Sequence, residues 1–162
     1  MAPKNSKSEN QDPEYKARSV ALKLLARREH SRQELRLKLM QRKLTPDVID
    51  PVLDDYEREG WLDDDRFADV YARQRMDLYY GPLRIESELQ QRGVFQRPTC
   101  MQEVSDQQWA ERATEARRRR FGLSASALEW SDKARQARFL AQRGFTGEQA
   151  ERALDARDDT PE

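Results

Sequence analysis

From Ala17 onward, apolar residues recur at intervals of three and four. Ala17, Val20, Ala21, Leu24 and Leu25 form such a stripe, which predicts an amphipathic helix with one buried face. Ser31-Arg-Gln-Glu34 follows, a capping box in which the serine and glutamate side chains satisfy each other's backbone donors. It predicts a second helix with Leu35 and Leu39 inward and Arg32, Arg36 and Lys43 on other faces. Thr45-Pro46 supplies an N-cap and a first-turn proline for a third helix, striped by Val48, Ile49, Val52, Leu53 and Tyr56. Gly60 is placed to end it in a left-handed conformation. Strand-type alternation is absent.

The same arrangement then returns. Leu39-Met-Gln-Arg42-Lys-Leu44, Leu89-Gln-Gln-Arg92-Gly-Val94 and Leu140-Ala-Gln-Arg143-Gly-Phe145 share one pattern, their leading leucines 50 and 51 positions apart. Each block ends a middle helix. A preceding helix is striped by Phe67, Val70 and Tyr71, or by Trp109, Ala113 and Ala116. A following helix carries Cys100 and Val104, or Ala150, Ala153 and Leu154. Gly81-Pro82 opens the middle helix of the second repeat, and Thr146-Gly-Glu-Gln149 is a capping box for the last helix. The expected fold is all-α: three tandem three-helix repeats in a bent, elongated array. The expected divisions are a disordered tail over 1–14, repeats over 15–60, 61–105 and 106–157, and an acidic tail over 158–162. The third repeat has the thinnest core, resting on Trp109, Phe121, Trp130, Phe139 and Phe145.

Composition narrows the function. Charged residues are 37% and hydrophobic residues 36% of the 162, enough for several small cores but not for a buried parallel sheet. No apolar run is long enough to span a bilayer, and Met1 to Asp12 lacks the apolar segment of a secretory signal. A single cysteine, Cys100, and a single histidine, His30, leave little for a disulfide, a zinc cluster or a His-based catalytic centre. These features point to a cytoplasmic protein that is not an enzyme and uses no cofactor or metal. Asp63-Asp-Asp-Arg66 lacks the alternating acids and the glycine of a calcium loop, and reads as a helix N-terminus. His30 reads as a packing residue and Cys100 as core.

Thirty basic and thirty acidic residues cancel, but they are segregated. Lys16 to Lys43 holds ten cations against Glu29 and Glu34, a balance of +8. Asp47 to Asp65 holds nine acids against Arg58, a balance of −8. Arg117-Arg-Arg-Arg120 heads a later basic block, although residues stepping about 100° apart cannot all share one face, so at least one must be stem-packed or paired. Because salt screens such fields beyond roughly 8 Å, they act locally. Basic and acidic surfaces could thus meet different parts of one partner. Apart from Tyr79 and Tyr80, few aromatics lie off the stripes, which favours a backbone or protein-surface binder over a sequence reader.

Arg28-Glu-His-Ser31-Arg-Gln-Glu34-Leu35, Gly60-Trp-Leu-Asp-Asp-Asp-Arg66-Phe67-Ala68 and Gly81-Pro-Leu-Arg84-Ile85-Glu-Ser-Glu88-Leu89-Gln-Gln-Arg92-Gly93-Val94 strongly resemble the RecX family. The resemblance covers roughly residues 15 to 157. It implies a regulator that binds the RecA filament on single-stranded DNA, with weaker affinity for double-stranded DNA, and lies in the filament's helical groove. It further implies inhibition of ATP hydrolysis, strand exchange and co-protease activity in DNA repair and the SOS response. Helical-face arguments nominate Arg27, Arg28, Arg32, Arg36, Lys43, Arg84, Arg92, Arg117, Arg118, Arg119, Arg120, Arg135 and Arg138 as positive contacts. Asp54, Asp55 and Glu57 would form an acidic, protein-facing surface. The alternative is an autonomous nucleic-acid-binding module of helix-turn-helix type, against which zero net charge counts. The sequence leaves the oligomeric state open.

Overall fold

The structure is a computed structural model that describes residues 12–123 and 126–157. Within those residues it is helical throughout, with no strand. The helices are α1 (Pro13–Arg27), α2 (Arg32–Gln41), α3 (Pro46–Arg58), α4 (Asp64–Asp77), α5 (Pro82–Gln91), the single turn α6 (Thr99–Gln102), α7 (Asp106–Phe121), α8 (Trp130–Arg143) and α9 (Gly147–Asp155). Their starts are written locally. Asp12 accepts hydrogen bonds from the backbone of Glu14 and Tyr15, so α1 begins inside the stretch expected to be tail. The rest of that tail, residues 1–11, and the acidic tail over 158–162 lie outside the described residues. The capping boxes at Ser31 and Thr146 form, and Ser105 with Gln108 makes a further one. Asp63 accepts from the backbone of Asp65 and Arg66, the expected cap of α4.

The chain divides into two compact units, one holding the residues up to Val70 with Gln91–Val94, the other holding Tyr71–Gln90 and everything from Phe95. In the first, α1, α2 and α3 pack on one another around Ala17, Ala21, Leu35, Leu39, Ile49, Leu53 and Tyr56, all essentially inaccessible. The Tyr56 hydroxyl donates to the Arg18 carbonyl (2.9 Å), which ties α3 to α1 without leaving a buried polar orphan. In the second, α7, α8 and α9 pack on one another around Trp109, Ala113, Leu140, Phe145 and Ala153. The three repeat leucines, Leu39, Leu89 and Leu140, are all buried, as their periodicity predicts. Trp130 is not core as expected: it is 81% exposed at the start of α8. Cys100 is only half-buried.

Each unit contains one close crossing of helix ends. In the second unit the Gly81 and Leu83 amides donate to the Arg143 and Gly144 carbonyls (2.7 and 2.9 Å), and Arg84 donates to Gln142 (3.0 Å). A Cβ on Gly144 would lie 2.3 Å from the Arg84 Cβ and 2.6 Å from its backbone nitrogen. In the first unit Gln33 donates to the Gln91 carbonyl (3.1 Å), and a Cβ on Gly93 would meet the Gln33 side chain. Both side-chain bonds join residues 58 apart, so one junction recurs with the repeat. The third helix stop of this kind is Lys43, also at positive φ (65°), and it is exposed. Glycine therefore stands where another helix end approaches, and a side chain is tolerated where none does. Gly144→Ala should cost more than the ~1–2 kcal/mol expected for a left-handed residue alone. Gly60→Ala should cost only that, since nothing lies within 4 Å of a Cβ there. Urea unfolding of the two variants compares them directly.

Candidate functional site

The nominated cations and acids of the first unit largely neutralise each other. Arg32 bonds both Asp54 (2.7 Å) and Glu57 (2.8 Å), and Arg36 bonds Asp50 (2.9 Å), because the α2 face carrying the arginines lies along the α3 face carrying the acids. Asp55 is held by Arg18 (2.6 Å) and by Arg58. Arg28 pairs with Glu34 (2.9 Å), whose carboxyl sits below its usual range, since this bond and the Ser31 amide outweigh the cost of burial. Asp54, Asp55 and Glu57 are therefore not a free acidic surface for a protein partner. They are the counter-charges of this unit's own arginines, and Arg32 and Arg36 are correspondingly committed.

A different set of cations stays unpaired. Lys16, Lys23 and Arg27 are seven and four residues apart on α1, which places them on one exposed stripe. The Lys16 ammonium donates to the Arg42 carbonyl (3.2 Å), which brings the end of α2, with exposed Arg42 and Lys43, beside that stripe. None of these five has a carboxylate partner among the described residues. Lys38 lies near them. Partial burial lowers its pKa, and the charges of Arg28, Arg42 and Arg27 lower it further. Lys38 also donates to Nε2 of His30 (2.9 Å), whose Nδ1–H donates to the Arg28 carbonyl (3.0 Å). His30, 1% exposed, is thus a neutral packing residue, its pKa lowered chiefly by burial. Of the nominated residues, Arg27 and Lys43 belong to this face; Lys16, Lys23 and Arg42 join it from outside the nominated set. Helical spacing alone marks the α1 stripe.

The arginines of the second unit separate sharply. Arg117 is 1% exposed and is not a contact residue. Its Nε donates to Gln136 (2.7 Å) and its Nη1 to the carbonyls of Ala153 (2.9 Å) and Ala156 (3.0 Å). Burial without a carboxylate pushes its pKa down. Arg118 and Arg119 share Glu115 (2.8 and 3.0 Å), whose carboxyl is lowered to about 2, chiefly by the Arg118 hydrogen bond. Arg120 and Arg138 are exposed with no ion-pair partner among the described residues, while Arg135 has Asp132 at 3.5 Å. Arg92 is half-buried.

Arg84 joins a cluster at Tyr80. Guanidinium carbons of Arg75, Arg84 and Arg143 lie 3.9, 4.5 and 4.6 Å from the Tyr80 ring centre, a geometry in which the ring's negative face attracts cations. Glu88 accepts from Arg75 (2.7 Å), Arg84 (3.2 Å) and the Tyr71 hydroxyl (2.5 Å). Arg119 lies over the adjacent Tyr79 (4.4 Å). The sequence marks Arg143 only as the recurring arginine of the repeat, and Arg75 carries no separate signal; the meeting of Arg143 with Arg84 depends on the crossing of α5 and α8. No group of residues able to hold a metal occurs among the described residues, and no described helix is long and apolar enough to cross a membrane.

Among the described residues the chain is thus all-helical, with three-helix packing in each unit and exposed cations on the surface. Models of the first, second and third three-helix domains of RecX match residues 17–55, 63–94 and 106–154 respectively. The regulatory protein RecX of Halorhodospira halophila is 43% identical over 148 residues, covering 90% of each chain. That of Pseudomonas entomophila is 40% identical over 149 residues, covering 91% of this chain and 95% of its own. A crystal structure of RecX from Lactobacillus salivarius superposes with a TM-score of 0.73 at 19% identity, covering 89% of this chain and 97% of that one. The chain belongs to the RecX family. Its relatives are named as regulatory proteins.

Proposed function

We propose that this protein regulates the RecA recombinase by binding its filament on single-stranded DNA, in the filament's helical groove. Occupying that groove obstructs a second DNA strand and restrains the protomer movements of ATP turnover, which suppresses ATPase, strand exchange and co-protease activity. Family membership supports the RecA partner. The observation that carries the DNA contact is the unpaired face of Lys16, Lys23, Arg27, Arg42 and Lys43, in a unit whose remaining cations are mostly neutralised internally. A limited cationic face suits a partner that also offers protein surface, since phosphate contacts alone would leave binding weak at physiological salt. Co-sedimentation tests this: the protein should pellet with RecA filaments at salt that releases it from naked single- and double-stranded DNA. Equal retention on naked DNA and on filaments would favour an autonomous DNA-binding module instead.

A further inference from the structure

We infer that a pocket of the second unit beside Tyr79 binds a nucleotide, with its base against the Tyr79 and Phe139 side chains and its phosphate on Arg120 and Arg143. The inference rests on the reading above and adds a subsite to it. The pocket is an open cleft of about 260 Å³ between the end of α4 and the ends of α7 and α8, lined by Leu78, Tyr79, Phe139, Arg119, Arg120 and Arg143. That is below the roughly 300–1,000 Å³ of sites enclosing a whole drug-sized molecule, and suits one base rather than a larger ligand.

Its chemistry is that of a base-and-phosphate site. Two of its guanidiniums already stand over aromatic faces, Arg119 over Tyr79 at 4.4 Å and Arg143 over Phe139 at 5.2 Å, so a base enters by displacing them from those faces or by taking the opposite ring face. Arg143 spends one donor on the Leu78 carbonyl (2.9 Å), which fixes its position and leaves further N–H groups. Arg120 is exposed and has neither a carboxylate nor a carbonyl partner among the described residues. Asp77 is the one acid in the lining, and a carboxylate there can accept from the exocyclic amine of cytosine.

The backbone supplies a separate observation. Tyr79 has φ of 61°, at the stop of α4 where its amide donates to Met76 and that of Tyr80 to Arg75. The stop of α3 has the same bonding and uses Gly60. An aromatic residue in a left-handed conformation is uncommon, and this one lines the pocket.

The test compares full-length protein binding to a labelled oligodeoxycytidylate and to an abasic strand of the same length, by fluorescence anisotropy. Base stacking of 1–3 kcal/mol predicts roughly ten-fold tighter binding of the strand that carries bases. Tyr79→Asn, which removes the ring but tolerates the left-handed backbone, should abolish that difference. Leu78→Glu, at an exposed position, should do so by placing an acid beside the phosphate. A difference that persists in both variants places base recognition elsewhere and overturns the inference. Equal binding of the two strands by the unaltered protein also overturns it, without touching the filament reading, which is tested by co-sedimentation with filaments. If neither strand binds while filament co-sedimentation persists, the pocket again fails and the filament reading stands. Competition by dCMP separates the sources of the ligand. Displacement of the strand by the mononucleotide at comparable nucleotide concentration identifies a free nucleotide as occupant, and its failure identifies a nucleotide within a strand.

Discussion

Replacing Arg117 by alanine is expected to lower the stability of the protein by about 3–5 kcal/mol, the largest effect of any arginine substitution in the chain. The guanidinium satisfies three acceptors, the Gln136 side chain and the carbonyls of Ala153 and Ala156. The Ala153 carbonyl keeps the Ala156 amide (3.2 Å), but the Gln136 side chain and the partly buried Ala156 carbonyl lose this donor at about 1–3 kcal/mol each, and alanine also leaves the volume of the side chain unfilled. Ala153 belongs to α9 and Ala156 directly follows it, so the substitution loosens α9 from α7. Arg120→Ala, three residues away, removes an exposed side chain without an ion-pair partner and should change the melting temperature little. Thermal melts followed by circular dichroism make the comparison. Equal, small shifts would show that α9 does not depend on the buried guanidinium. Reversing the whole run from Arg117 to Arg120 would for the same reason confound unfolding with loss of binding.

What the sequence revealed, and what it hid, divides by the range of the interactions. Capping boxes at Ser31 and Thr146 were legible because donor and acceptor lie three residues apart. The repeat leucines were legible because burial recurs with the helical period. The run from Arg117 to Arg120 showed only that some arginine must turn inward. It could not say which, because the acceptors of Arg117 come from 19, 36 and 39 residues further along. The +8 and −8 blocks were visible as blocks, while their mutual pairing does not show in the charge counts alone. A signal was present: Arg32 and Arg36 are four apart on α2, while Asp50, Asp54 and Glu57 repeat by four and three on α3. Two complementary stripes on helices joined by a short turn are placed to meet. The glycine at two helix stops and the lysine at the third were equally readable as letters. Their cause needed the crossing of helix ends that only three dimensions show.

That redistribution of charge moves the expected contact surface to the five cations that remain. Reversing Lys23, Arg27 and Lys43 together to glutamate should strongly weaken inhibition of RecA's single-stranded-DNA-dependent ATPase while leaving helical content intact. All three side chains are exposed and none has an ion-pair partner among the described residues, so no internal bond is broken. Lys23 and Arg27 sit on the open stripe of α1, and glutamate retains a good helix propensity there. At Lys43 the backbone is left-handed (φ 65°), and glutamate inherits the strain that lysine already bears. Each phosphate contact contributes a slope of about −0.7 to the logarithm of affinity against the logarithm of salt on single strands. Losing three contacts should therefore make the slope shallower by about 2, with reversal adding repulsion on top. A control reversal of Arg32 should instead destabilise the fold by unpairing Asp54 and Glu57, with little direct effect on the salt slope. A folded triple variant that inhibits with the affinity and salt dependence of the unaltered protein would remove this face from the interface. The DNA contact would then fall to the second unit, where Arg120 and Arg138 are the exposed cations without an ion-pair partner among the nominated residues.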